Sequence, residues 1–182
     1  MTLRIGPTIV LTMAVLGAAA VFVAPAAFAD KLRASPHEKV TATVGGKAVT
    51  IEYGRPFKKG RELFGALVPW DKVWRTGADE ATTLVTETDL TIGDLAVPKG
   101  SYALFTVPGQ KGWQLIINKN AKQWGAFSYD AKSDVGKTLM TVAATPAPVE
   151  QLTMALVPAG DKKVTLQISW DKTVASVAVT AK

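Results

Sequence analysis

Val164-Thr165-Leu166-Gln167-Ile168-Ser169-Trp170 alternates apolar and polar residues without a break. Successive side chains of a strand point to opposite faces, so Val164, Leu166, Ile168 and Trp170 share one face and predict a half-buried β-strand. Working outward, Pro158-Ala159-Gly160-Asp161 and Asp171-Lys172-Thr173 read as turns, with strands at 151–157 and 174–180 on either side. A further strand at 137–144 is closed by Pro146 and Pro148. The same signal recurs at 113–118, 101–107, 95–97 and 82–88. Near the start of the domain, Val40, Ala42 and Val44 alternate with threonines, and Val49, Ile51 and Tyr53 resume the pattern after Gly45-Gly46. Paired glycines supply the positive φ that a type I′ hairpin turn requires.

No segment sustains helical periodicity. The expectation is an all-β, mostly antiparallel fold: a single β-sandwich of about nine short strands with minor helical turns, one of them near 61–67. Two irregular stretches interrupt it. The longer, 54–80, carries Gly54, Pro56, Gly60, Gly65, Pro69 and Gly77 together with several aromatic residues. A connection of that length with apolar content is a functional loop more than a linker. The second runs from 119 to 136 and holds Trp124, Phe127 and Tyr129.

The first residues set the expected compartment. Arg4 precedes an uncharged apolar run at 8–23, followed by Pro25 and Ala27-Phe28-Ala29. These are the parts of a cleavable secretory signal peptide. Pro25 ends the run before the roughly 20 apolar residues needed to span a bilayer. The expected organisation is a signal peptide at 1–29 cut after Ala29, a tether at 30–38, and the β-sandwich domain at 39–182. The mature protein is then exported, periplasmic or secreted, with no transmembrane span. With Arg4 gone, 20 Lys+Arg stand against 15 Asp+Glu, a balance of +5. Lysines are scattered and form no basic stripe, so nucleic acid is not an expected partner. The absence of cysteine excludes disulfides, thiolate catalysis and cysteine-ligated metals.

Arginine is distributed unevenly. The mature chain has Arg33, Arg55, Arg61 and Arg75, and three of these lie in 54–80 beside Trp70 and Trp74. Arginine is favoured where a planar fork grips a carboxylate or phosphate or stacks on a ring. The expected ligand-binding residues are Arg55, Arg61, Trp70, Trp74, Arg75, Thr76 and Glu80, with Tyr102 and Trp124 added from other segments. The competing expectation is structural. In it Arg75 pairs with Glu80, Asp79 or Glu52 and pins the loop, while Trp74 fills the end of the core. His37, the one histidine, sits in the tether and reads as solvated. No catalytic residue, metal ligand or cofactor motif is assigned: there is no phosphate loop, no Gly-x-Ser-x-Gly elbow and no calcium loop.

At this loop the chain resembles the bacterial domain-of-unknown-function family 2911. The resemblance rests on Ser35-Pro36, Tyr53-Gly54-Arg55-Pro56, Lys59-Gly60-Arg61, Phe64-Gly65 and Leu67-Val68-Pro69. Its most specific part is Val73-Trp74-Arg75-Thr76-Gly77-Ala78 with Glu80-Ala81-Thr82. Gly100-Ser101-Tyr102, Leu104-Phe105, Pro108, Trp113, Asn118, Trp124 and Tyr129-Asp130 extend it. Asp79 departs from the asparagine expected there, which adds a charge beside Arg75. The resemblance implies export and one β domain, and it implies no activity. The functional expectation is therefore a noncatalytic exported domain that binds an anionic or carbohydrate-like envelope or extracellular ligand. The alternatives are a small exported hydrolase using carboxylates from Glu52, Glu62, Asp79 or Glu80, or a purely structural envelope protein. Nothing in the sequence fixes the oligomeric state.

Overall fold

A computed structural model describes residues 33–182. The expected signal peptide, its cleavage after Ala29 and the first residues of the tether lie outside the described residues. The strands are β1 (His37–Val44), β2 (Lys47–Gly54), β3 (Thr82–Thr86), β4 (Leu90–Ile92), β5 (Leu95–Val97), β6 (Gly100–Gly109), β7 (Gly112–Asn118), β8 (Asp134–Pro158) and β9 (Lys163–Ala181). They form one open antiparallel sheet in the order β1-β2-β3-β6-β7-β8-β9-β4-β5. One 3-10 turn, Ala131–Ser133, precedes β8. Residues 61–67 form turns and no helix.

Nine strands, antiparallel pairing and the irregular 54–80 loop agree with expectation. Strand length does not: β8 has 25 residues and β9 has 19. The first part of β8 pairs with β7 up to Met140, and from Thr141 it pairs with β9. Pro146 and Pro148 do not end it. They lie where the register slips, between Ala144↔Thr173 and Val149↔Asp171. Proline is tolerated at such a bulge because no ladder N–H is needed there.

A bulge of this kind bends its strand, and one face of the sheet closes on itself. Val49, Ile51 and Tyr53 of β2 share a single core with Met154 of β8 and with Val164, Leu166, Ile168 and Trp170 of β9. The Met154 amide donates to the Tyr53 hydroxyl at 2.8 Å. At the edge of the bulge the Lys58 amide donates to the Glu150 carbonyl (2.7 Å) and the Leu152 amide to the Pro56 carbonyl (3.0 Å). The start of the 54–80 loop is thereby tied to β8. On the other face of β6 and β7, Ala103, Phe105 and Ile116 pack with Ala81, under Val73, Ala126 and Tyr129 of the two irregular stretches. Both irregular stretches are therefore layers of the fold, and β6 is buried on both faces through its centre.

Candidate functional site

Two clefts open on either side of a narrow ridge built from residues 33–35 and 77–80. The first has a volume of about 500 Å3 and is lined by Lys59, Arg61, Arg75, Phe57, Trp74 and Trp170, among others. The second, of about 530 Å3, lies over the outward face of β2, β3 and β6, with Trp124 at its side.

The conformation of the ridge starts from Trp74. Its amide and carbonyl pair with Thr106 at 2.8 and 2.9 Å. Its ring is 9% exposed, stacked on Trp170 (6.0 Å, 12°) and edge-on to Trp113 (6.2 Å) and Phe64 (6.3 Å). Thr76 follows with φ 56°, a left-handed backbone that a β-branched residue rarely adopts. It is held there by hydrogen bonds: its hydroxyl contacts the Trp74 carbonyl (3.2 Å) and the Thr106 hydroxyl (3.1 Å), and its carbonyl accepts from the Thr82 hydroxyl (2.9 Å). With Trp74 turned into the core, Arg75 stays half-buried in the cleft wall. Among the described residues its guanidinium donates one hydrogen bond, 3.4 Å to the Asp79 carbonyl.

The expected pairing of Arg75 with Glu80, Asp79 or Glu52 is not found among the described residues. Both nearby acids are engaged elsewhere. The Asp79 carboxylate, whose side chain is 9% exposed, accepts from the Ala34 and Ser35 amides at 3.2 Å each. Glu80 binds the Arg33 guanidinium at 3.1 Å. The His37 Nε2 lies 3.5 Å from Asp79 and 3.3 Å from Glu80, and its side chain is only 13% exposed. His37 is thus no solvated tether residue. It opens β1, and its packing against two carboxylates is a tertiary fact that local sequence does not signal. With Asp79 and Glu80 both committed to these contacts, the arrangement gives no support to a carboxylate acid–base pair.

The other expected site residues divide. Arg61 lines the first cleft, its guanidinium donating to the Lys58 carbonyl (2.9 Å) and the Phe57 carbonyl. Arg55 does not line it. That residue, just past the end of β2, pairs with Glu38 and donates to the Leu152 carbonyl and the Thr153 hydroxyl at 2.9 Å each, so it ties β1 to β8. Trp70 packs on Phe64 (5.9 Å) outside both clefts. Thr76 is fully buried. Tyr102 is buried too, and its hydroxyl donates to the Pro98 carbonyl at 2.8 Å. Glu80 and Trp124 line the second cleft. The expected site residues did not include Lys59, two positions before Arg61, nor Phe57 and Trp170. Trp170 stands a hundred residues away and reads as a strand residue.

The loop bearing Trp124 is fixed from below. The Tyr129 hydroxyl donates to Asp134 at 2.7 Å, and Asn118 donates to Asp134 (2.8 Å) and to the Asp130 carbonyl (3.0 Å). Burial first, and then the hydrogen bond to the Asp134 carboxylate, raise the Tyr129 pKa, so its hydroxyl remains a donor at ordinary pH.

Fold and clefts define an all-antiparallel β domain whose irregular loops build two adjoining depressions at one ridge. Residues 35–179 match the family model described as a protein of unknown function, DUF2911. The chain belongs to that family. No curated protein and no solved structure matches it. Among the described residues no helix is long and apolar enough to cross a membrane.

Proposed function

We propose that the protein is exported and that its first cleft binds an anionic ligand, one bearing a carboxylate or phosphate, without catalysis. The observation that carries this reading is the charge in the cleft. Lys59, Arg61 and Arg75 line it, and none makes an ion pair with a carboxylate among the described residues. The one acid in the lining, Asp79, is spent on the Ala34 and Ser35 amides. Two guanidinium groups and an ammonium beside aromatic walls suit an anion attached to a flat or apolar body. A cleft of about 500 Å3 falls within the usual range for small-molecule sites.

The test is titration with inorganic phosphate and with citrate, for the wild type and for Arg75→Ala. Binding is expected in the wild type, weakening with added salt because the attraction is between partly exposed charges. Arg75→Ala is expected to weaken it about tenfold or more, equivalent to about 1.4 kcal/mol. Its unfolding free energy should change by no more than about 0.5 kcal/mol, as at an ordinary surface position. Unchanged affinity in the variant, or a stability loss near the roughly 3–5 kcal/mol of a broken buried ion pair, would sink the reading.

Export rests on residues 1–29. N-terminal sequencing of protein recovered from outside the cytoplasm is expected to begin at Asp30. An intact Met1 start there would contradict cleavage.

A further inference from the structure

The second cleft has a different chemistry. Its floor is the outward face of three strands: Glu52 stands opposite Thr83, and Val85 opposite Ser101. Trp124 borders it and is 48% exposed, an unusual state for an indole with so much apolar area to bury. Charges around it cancel. Glu80 is neutralised by Arg33, and the unpaired Glu52 faces the same cleft as Lys122. Gln123 lies in the cleft wall with its acceptor turned inward. Its Nε2 donates to the Asn120 carbonyl at 2.8 Å, which fixes the orientation of the amide. Its Oε1 is buried and has no donor among the described residues. A buried acceptor without a partner is unfavourable.

We infer that this cleft is a second, independent site, for a neutral polyhydroxylated ligand, a sugar ring. A small anion would meet Glu52 and Glu80, and a quaternary cation would meet Arg33 and Lys122. A sugar carries no charge. Its hydroxyls both donate and accept, matching Glu52 as acceptor, Lys122 as donor and Thr83 and Ser101 as either. Its C–H face suits the electron-rich face of Trp124.

The experiment follows the indole N–H resonance of Trp124 in the 15N spectrum of the protein while maltotriose, cellotriose and chitotriose are added. At least one is expected to shift that resonance saturably with a Kd near or below about 10 mM, the weak end of specific binding. Trp124→Ala, at an exposed position, should abolish sugar binding as read on neighbouring amides. Glu52→Gln, also exposed, should weaken it several-fold. Neither should alter the response to phosphate at Arg75. Failure of all three sugars to saturate, sugar binding unchanged in both variants, or choline shifting the indole where sugars do not, would each overturn the assignment.

Discussion

Replacing Trp74 with alanine is expected to destabilise the protein by about 3–5 kcal/mol, the range for removing a large buried aromatic side chain. The reason is its position at the junction of four rings. Trp74 contacts Trp170 of β9, Trp113 of β7 and Phe64 of the 54–80 loop, so one indole joins both halves of the sheet and the loop. Against a total stability of about 5–15 kcal/mol, that loss removes a large share. Denaturant unfolding should show a lower midpoint at unchanged slope. A loss below about 1 kcal/mol, the typical size for an arbitrary substitution, would mean that the ring cluster does not hold the loop. Trp74→Phe, which keeps a ring, should fall between the variant and the wild type.

The second large effect is expected at Gly54. A Cβ placed there would lie 2.3 Å from the Ala78 carbonyl oxygen and 2.9 Å from its carbon. Both atoms are backbone, so no side-chain rotation relieves the clash. Gly77 reciprocates: a Cβ on it would lie 3.0 Å from the Gly54 carbonyl oxygen. The end of β2 and the ridge between the clefts thus touch backbone to backbone. Gly54→Ala is expected to cost at least the upper end of the roughly 1–3 kcal/mol seen for overpacking. It should also displace residues 77–80 and weaken binding in both clefts together. Unaltered stability and amide chemical shifts at Ala78 and Asp79 would show that the contact is looser than described.

The strands were legible where alternation was clean. β2 and β9 have one buried face each, and their residues say so. Three features were hidden for separate reasons. β4 has three residues, too few for a period to appear. The continuity of β8 was masked by Pro146 and Pro148, which read as stops because nothing local reveals a bulge that excuses them. The burial of β6 on both faces depends on loops far away in sequence. At the candidate site, arginine usage pointed to the right loop, and Arg61 and Arg75 do line one cleft. Arg55 has the same chemistry and the same neighbourhood, yet it meets Glu38, Leu152 and Thr153, partners set by tertiary pairing. The acidic residue at Asp79 looked like a partner for Arg75. Its carboxylate instead holds the chain just before β1, and Arg75 reaches only its carbonyl.

β8 has a consequence for how the chain reaches this structure. It is paired to β7 through one part and to β9 through the other, and Tyr53 meets Met154 across a separation of 101 residues. Neither half of the sheet can complete its core before the C-terminal third of the chain is in place. The entropy of closing that long loop is lost before the core returns any stabilisation. Proteins with contacts this distant in sequence fold on the slow scale of milliseconds to seconds. Until then β2 and β6 expose apolar faces, which makes the interval before closure the time when the chain is most open to aggregation or to capture by a chaperone.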